Sequence, residues 1–201
     1  MWLDCVRVGT TLDIYYKMMI KRLLTTVAFA VGFIAANAQF VLTQNGFVDK
    51  DNINHDYVVV KMDSLCADSI SSVICSNLKR DFLNGEDRIS RDGNTIYVSG
   101  NRNNAIAGKL IGMYLGGAYH IIFKFTIETK DGRARVLQPD LKLSLFAEKE
   151  KYPNYTASDW RNAVSFKKNG EVRTVATAQS LEKFVNDFVA SLTYRKDADE
   201  W

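Results

Sequence analysis

The sequence predicts an α+β domain in which two helices cover one face of a mostly antiparallel five-stranded sheet, in the order β-α-β-β-β-β-α. Two Asp-Gly pairs, each lying between strand patterns, indicate two β-hairpins, because Asp-Gly is among the strongest short hairpin signals. Two other segments repeat apolar residues at three- and four-residue steps, which is typical of helices with a single buried face. Hairpins imply antiparallel pairing, and one-sided helices need a sheet face to pack on, so the two signals together indicate this layered fold.

The first ordered element is expected at residues 57–62, a β-branched run suited to a central strand. Asp63 or Ser64 then offers a cap for a helix, which is expected to stop at residues 84–85. The apolar stripe of this helix consists of Cys66, Ile70, Val73, Ile74, Leu78 and Phe82. Residues 39–55 are polar and rich in asparagine, so they are expected to form a lead-in arm.

Two hairpins form the middle of the predicted sheet. Residues 88–90 and 95–98 are expected to pair across the first Asp-Gly turn. Residues 120–130 alternate apolar and polar side chains, as a strand with one buried face does, and residues 133–145 are expected to return beside them. The apolar residues of the return strand change parity at residues 138–139, where a bulge or bend is therefore expected.

One more element is expected after the hairpins. A helix at residues 177–194 follows a long polar connection at residues 146–176. The apolar stripe of this helix consists of Leu181, Phe184, Val185, Phe188 and Leu192. The mature protein is then expected to consist of the arm, a single α+β domain at residues 56–195 and an acidic tail at residues 196–201.

Residues 1–38 are expected to end in a signal peptide that is removed during export. A basic pair, Lys21-Arg22, precedes an apolar stretch at residues 23–35 and a small-x-small cleavage pattern that ends at Ala38. The apolar stretch is 13 residues long, whereas crossing a hydrocarbon core takes roughly 20 residues, so cleavage is favoured over a membrane anchor. The mature protein is therefore expected in the periplasm or outside the cell, without a transmembrane segment.

The charge of the mature chain argues against nucleic-acid binding. The full sequence holds 26 basic and 23 acidic residues, and four of the basic and two of the acidic ones lie in residues 1–38. The formal charge of the mature protein is therefore +1, whereas a DNA- or RNA-binding domain concentrates positive charge.

Two cysteines remain after export, and they are not expected to form a disulfide with each other. Cys66 and Cys75 both fall on the predicted helix, where a rise of about 1.5 Å per residue puts them roughly 13 Å apart. A disulfide needs Cα atoms within about 7 Å. The two are interpreted as small buried apolar side chains, with a bridge to a partner or a reactive thiol as alternatives.

No motif in the sequence predicts catalysis, a metal site or a cofactor. His55 and His120 are the only histidines, and neither belongs to a zinc-ligand spacing or a nucleophile signature. Asp81, Glu86 and Asp87 lie close together in sequence, which is more typical of a solvated surface than of an acid-base pair. No enzymatic activity is therefore expected.

Basic residues gather around the second hairpin, namely Lys124, Arg133, Arg135 and Lys142. In a simple register around Asp131-Gly132, Glu128 lies opposite Arg135. Cross-strand ion pairing therefore explains the stripe better than anion binding does.

The segment at residues 105–119 joins two strands yet is rich in both glycine and large apolar residues. An extended hairpin or a stretch of core is the simpler interpretation, and its regularly spaced glycines would form a smooth groove if the segment were helical. The alternative is an apolar lip that binds a lipid, a peptide, a membrane surface or a partner protein. The candidate binding residues are Ile111, Met113, Tyr114 and Leu115.

Three segments resemble a family of exported Bacteroidetes-type proteins, a domain of unknown function with a TATA-binding-protein-like (TBP-like) fold. They are the strand at residues 57–62 with its helix, the turn at residues 92–96 and the hairpin at residues 125–135. The resemblance implies a curved sheet in the order given above and a cell-envelope location. It implies no catalytic residue, and it does not imply DNA binding, because a fold does not determine function.

The sequence thus favours a non-catalytic binding or interaction module of the cell envelope, whose partner is a protein, a peptide or a lipid. Two alternatives remain. One is a small periplasmic hydrolase, and the other is a structural subunit that adds a strand to a partner through the sheet edge containing Pro139.

The signal-peptide interpretation predicts the mass of the exported protein. Protein recovered after export from a bacterial host should have the intact mass of residues 39–201, with or without cyclisation of Gln39. Residues 1–17 precede the signal and are interpreted as an upstream extension of the gene start, so they should be absent from the exported form. Intact-mass spectrometry that finds Met1 or Met19 retained on the exported protein would contradict this interpretation.

Overall fold

A seven-stranded sheet organises the part of the chain that the structure describes. The structure is a computed structural model and describes residues 39–109, 116–144 and 157–193. These residues belong to one compact unit, which extends over residues 38–201. The predicted signal peptide, the polar residues 145–156 and the acidic tail lie outside the described residues.

Nine strands, two α-helices and one 3-10 helix make up the described residues. The strands are β1 (Phe40–Thr43), β2 (Gly46–Asp49), β3 (Tyr57–Lys61), β4 (Arg88–Asp92), β5 (Thr95–Lys109), β6 (Gly116–Lys130), β7 (Arg133–Leu137), β8 (Asp140–Ser144) and β9 (Ser158–Asp159). The helices are α1 (Ala67–Asp81), α2 (Val175–Ser191) and the 3-10 helix at Trp160–Asn162.

Strand β6 holds the large sheet together, because three other strands pair with it. The sheet runs in the order β3-β7-β6-β5-β4, and β8 pairs with β6 and with β9. Every pairing is antiparallel. The mixed α and β composition and the antiparallel pairing confirm the predicted fold class, whereas the predicted number of five strands is wrong.

A register shift explains part of the difference in strand number. On β6, Ile127 lies opposite Val136 of β7, whereas Phe123 lies opposite Leu141 of β8. Moving four residues along β6 therefore moves five along its partner, so the return strand carries one extra residue and is divided into β7 and β8. The division falls at residues 138–139, where the change of parity predicted it and where proline lacks the N–H that a ladder needs.

The described sheet leaves no free edge at Pro139. Strand β7 lies between β3 and β6, and strand β8 lies between β6 and β9. The prediction that a partner strand adds at an edge containing Pro139 is therefore wrong. One described edge is β4, whose residues are exposed except for the half-buried Ile89.

Residues 40–49 form a hairpin, so the prediction of an arm and of a first ordered element at residue 57 is wrong. Phe40 and Phe47 are buried, and their rings meet edge to face at 6.2 Å. The Phe40 N–H donates to Asn186 Oδ1 of α2 at 2.8 Å, and the Leu42 N–H donates to Glu182 Oε1 at 2.7 Å. Phe40, Leu42 and Phe47 of this segment are buried, and their burial outweighs the polar composition of the segment.

Both helices pack on the same face of the large sheet, which is called the inner face below. Phe82, directly after α1, contacts Phe184 and Phe188 of α2 and also Phe123 and Phe125 of β6. The buried side chains of this face include Ile96, Val98, Ile121, Phe123, Phe125, Ile127, Ala134 and Val136. No helix in the described ranges is long and apolar enough to span a membrane.

The helices bury most of their predicted stripe residues, but Cys66, predicted to be buried, is exposed and precedes α1. The ends of α1 also differ from the prediction. Helix α1 begins after Cys66 rather than at Asp63 or Ser64, and it ends at Asp81, before the predicted stop at residues 84–85. Tertiary contacts set its first turn, because the Ala67 N–H donates to Asp131 Oδ1 at 2.9 Å. The sequence near the start of α1 gives no signal of this cap, because Asp131 belongs to the distant β6–β7 hairpin.

The outcomes of two further predictions differ from each other. Within residues 146–176, predicted to be a polar connection, Trp160 is buried and lies 5.6 Å from the Phe47 ring. At residues 105–109 and 116–119, β5 and β6 continue their ladder beyond a register shift between Arg102 and Ile106, with Ile106 opposite Tyr119. This outcome matches the extended-hairpin interpretation, and Gly108 and Gly116 are therefore not helical.

A buried ion pair ties the loop after α1 to β5. Arg102 Nη1 donates to Asp87 Oδ1 at 2.8 Å, and the Asp87 side chain is only 1% exposed. Arg102 Nη2 donates to the Phe82 carbonyl at 2.6 Å, while the guanidinium lies 5.1 Å from the Phe123 ring centre. Gly100 leaves the space for this pair, since a Cβ there would lie 1.8 Å from Asp87 Oδ1.

Removing the cation of this pair should destabilise the protein strongly. Arg102→Met is expected to lower the free energy of unfolding by about 3–5 kcal/mol, because the Asp87 carboxylate then stays buried without a counter-charge. Urea unfolding measures this loss. Lys183→Met is the matched control, since Lys183 forms an exposed ion pair with Asp187, and such pairs contribute at most about 1 kcal/mol. If both variants lowered the free energy of unfolding by the same amount, the buried pair would not be important for stability.

Candidate functional site

The sheet face opposite the helices, called the outer face below, is exposed to solvent across the described strands. Tyr97 on β5 is 48% exposed and Ile122 on β6 is 43% exposed. Lys124 and Lys142 are exposed on the same face, where each lies opposite an acidic residue of the neighbouring strand, Asp140 and Asp159 respectively. Most of this face therefore combines single apolar side chains with roughly balanced charge.

The β6–β7 turn sits at one corner of the outer face and is fixed by tertiary hydrogen bonds. Asp131 caps α1 as described above, and the Gly132 N–H donates to the Leu65 carbonyl at 2.9 Å. The Met62 N–H donates in turn to the Gly132 carbonyl at 2.8 Å. Gly132 has a φ of 76°, which glycine adopts without strain. The residues that flank this turn are therefore held in place from both sides.

Thr129 connects the same corner to two further elements. Its N–H donates to the Asn94 carbonyl at 2.7 Å, and its hydroxyl lies 2.8 Å from the Ser71 hydroxyl of α1. Ser71 also donates to the Ala67 carbonyl at 2.9 Å. The turn between β4 and β5, the hairpin and the first half of α1 thus form one hydrogen-bonded corner.

Three basic residues lie side by side across this corner. Arg133 of β7 lies opposite Lys61 of β3 and opposite Lys130 of β6. All three are exposed, and none of them forms an ion pair with another described residue. Neighbouring strands are about 4.8 Å apart, so three like charges lie within roughly 10 Å. Like charges directly opposite one another destabilise a sheet. These three residues are called the basic row.

The next row toward the sheet centre is neutralised. Glu128 lies opposite Arg135, as the simple register predicted, and it accepts from Arg135 Nε at 2.9 Å. The hydrogen bond that Arg135 donates to Glu128 raises the pKa of the Arg135 guanidinium. The same guanidinium lies 5.1 Å from the centre of the Tyr57 ring, which also stacks on His55 at 4.7 Å. Pairing therefore accounts for Arg135, while the basic row beside it forms no ion pair with the residues that the structure describes.

A concavity of about 530 Å³ opens between these two rows. Its lining residues come from β3, the β4–β5 turn, β6 and β7, and are Tyr57, Val59, Asn94, Glu128, Thr129, Lys130, Arg133 and Arg135. This feature is called the hairpin concavity. It combines an aromatic ring, an aliphatic side chain, the cations Lys130 and Arg133, and the ion pair of Arg135 with Glu128, so it offers a ligand both apolar surface and polar groups.

The predicted site residues have different outcomes. Ile111, Met113, Tyr114 and Leu115 lie outside the described residues. Of the predicted basic stripe, Arg133 and Arg135 line the hairpin concavity, whereas Lys124 and Lys142 lie elsewhere on the outer face.

Sequence reasoning missed Lys61, Lys130 and Tyr57. A signal for Lys130 was present, because the predicted turn at Asp131-Gly132 already places it opposite Arg133.

The residues considered for catalysis do not meet in the described part of the chain. His55 bonds with Asn52 at 3.2 Å, and the largely buried His120 bonds with Asn103 at 2.9 Å. Asp87 is engaged by Arg102, as described above. Among the described residues, no three His, Cys, Asp or Glu side chains are grouped so that they could hold a metal ion.

The two cysteines lie in different environments. Cys66 is exposed at the start of α1, and its Sγ lies 3.2 Å from the Ser69 hydroxyl. Hydrogen bonding by Ser69 lowers the pKa of the Cys66 thiol. Cys75 is half-buried, and this burial raises the pKa of its thiol. Because the thiolate is the reactive form, Cys66 is expected to react faster than Cys75.

This difference can be tested by alkylation with iodoacetamide between pH 6 and pH 9. Cys66 should be labelled first, and its rate should level off at a lower pH than that of a free cysteine. Ser69→Ala removes the hydrogen bond and should shift the Cys66 rate profile to higher pH, whereas Ser72→Ala on the same helix should not. Peptide mass spectrometry follows each site, and faster labelling of Cys75 would contradict the assignment.

The comparisons with known proteins give no family. No protein family and no curated protein match this sequence. Two solved structures are similar to the chain. One is a TBP-like protein from Parabacteroides distasonis, with 16% identity and a TM-score of 0.43 over 70% of this chain and 92% of that one. The other is a DUF4468 family protein from Bacteroides ovatus, with 11% identity and a TM-score of 0.46 over 70% of this chain and 86% of that one.

Proposed function

We propose that this protein is an exported, non-catalytic binding module that holds a small ligand in the hairpin concavity. The observation that carries the proposal is the fixed corner around the concavity. Binding is strongest when the site does not have to be ordered first, and here hydrogen bonds from α1, β3 and the β4–β5 turn support the lining residues.

Two further observations favour binding over catalysis. The hairpin concavity contains no cysteine and no histidine among its lining residues. His55 and His120 are each bonded to an asparagine, and neither of these bonds involves a serine or cysteine side chain. The proposed export rests on the basic pair, apolar stretch and small-x-small pattern of residues 21–38.

A bulky side chain in the concavity tests the proposal. Val59→Trp fills the space from its β3 side, whereas Ile122→Trp adds the same bulk elsewhere on the outer face and serves as the matched control. A set of anionic, neutral and cationic small molecules is titrated against isotope-labelled protein, and the backbone amides are followed by NMR. At least one class of molecule should shift the amides of Asn94, Glu128 and Arg135.

The two variants then decide the assignment. Val59→Trp should weaken that binding at least tenfold, and Ile122→Trp should leave it unchanged. Both variants should keep the wild-type unfolding midpoint within a few degrees, since both positions lie on the outer face. Binding that is equally strong in Val59→Trp, or the failure of every class to shift these amides, would overturn the proposed site.

A further inference from the structure

The basic row is a charge arrangement that the fold itself does not explain. Cross-strand partners in a sheet normally gain stability from opposite charge, and the neighbouring pair of Glu128 and Arg135 follows that pattern. Lys61, Arg133 and Lys130 do the opposite, because each faces another cation. An anion placed among them would remove this repulsion and gain attraction to all three.

Two acidic residues beside the row, Glu128 and Asp131, have other hydrogen-bond partners among the described residues. Glu128 is bound to Arg135. Asp131, in the turn between Lys130 and Arg133, accepts from the Ala67 N–H at the start of α1. Neither carboxylate forms an ion pair with the basic row, so the row offers its donors to a ligand.

We infer that a small phosphate monoester binds here, with its phosphate held by Lys130 and Arg133 of the hairpin concavity and by Lys61, which lies opposite Arg133. This inference rests on the proposed function and names the chemistry of the ligand. A phosphate monoester carries nearly two negative charges at neutral pH and three strong acceptor oxygens. An arginine donates two parallel hydrogen bonds to such a group, while lysines supply point charges. Compared with a phosphate monoester, a carboxylate carries about half the negative charge and one acceptor oxygen fewer, so it binds the three cations of the basic row less strongly.

The body of the ligand would lie toward the centre of the concavity. There the ring of Tyr57 and the side chain of Val59 provide apolar surface, and Glu128 provides an acceptor oxygen. The ligand is therefore a small molecule with a phosphate at one end and a body that is partly apolar.

The test compares two nearly isosteric anions, methyl phosphate and methyl sulfate, at constant ionic strength. Methyl phosphate should shift the amides of Lys130 and Gly132 saturably, and methyl sulfate, which carries one charge, should bind at least tenfold more weakly. Lowering the pH from 7 to 5 should weaken the phosphate binding, because the second pKa of a phosphate monoester is about 6. Equal binding of the two anions would overturn the inference.

Removing one positive charge inside the basic row and one outside it distinguishes binding at this site from general electrostatic attraction. Arg133→Gln should weaken methyl phosphate binding at least tenfold, whereas Lys124→Gln, on the same face but opposite Asp140, should not. Without ligand, Arg133→Gln should unfold at the same temperature as wild type or higher at low salt, since it relieves repulsion. A lower unfolding temperature would assign Arg133 a structural role instead.

Two other outcomes have distinct meanings. Binding of neutral molecules at the concavity without methyl phosphate binding would overturn this inference and leave the proposed function intact. Flotation with phosphatidic acid vesicles, without binding of methyl phosphate, would indicate a membrane surface instead of a small ligand and would also overturn it. No binding of any kind at the concavity would overturn both proposals together.

Discussion

The fold depends on the pairing of β6. Three strands pair with β6, and both helices pack on the inner face of the sheet to which it belongs. Its buried side chains alternate without interruption from Ile121 to Ile127. Because a one-residue slip would turn all of them toward solvent, this alternation fixes the register of β5, β7 and β8 at once. The extra residue between β7 and β8 is compatible with this constraint, since it lies on the partner and leaves β6 regular.

The second constraint is the buried pair of Asp87 and Arg102. It holds the loop after α1 against β5, and the Arg102 guanidinium covers the aromatic side chains that join both helices to the sheet. In the described residues, every buried polar side-chain atom has a hydrogen-bond partner. Helix α1 is thus held at its end by this pair and at its start by Asp131, so its position also determines where the β6–β7 turn lies.

The local patterns predicted most of the ladder and much less of the site. Alternation on β6 and the two Asp-Gly turns are local signals, and the structure confirms the elements that they predicted. The hairpin at residues 40–49 and the burial of Trp160 depend on partners more than a hundred residues away, which no local pattern contains. The hairpin concavity was missed for the same reason. Val59 lies opposite Arg135 only through the pairing of β3 with β7, a contact between segments that are far apart in sequence.

The edge strand β4 has a consequence for self-association. A free strand edge offers unpaired N–H and C=O groups to any other strand, and this is a common route to aggregation. Here Arg88, Arg91 and Asp92 are all exposed along the edge, and Arg91 is bound across to Asp68 of α1. A second copy that approached this edge would have to desolvate these charges and place them against its own. The charges along β4 therefore oppose strand-to-strand association at this edge of the described sheet.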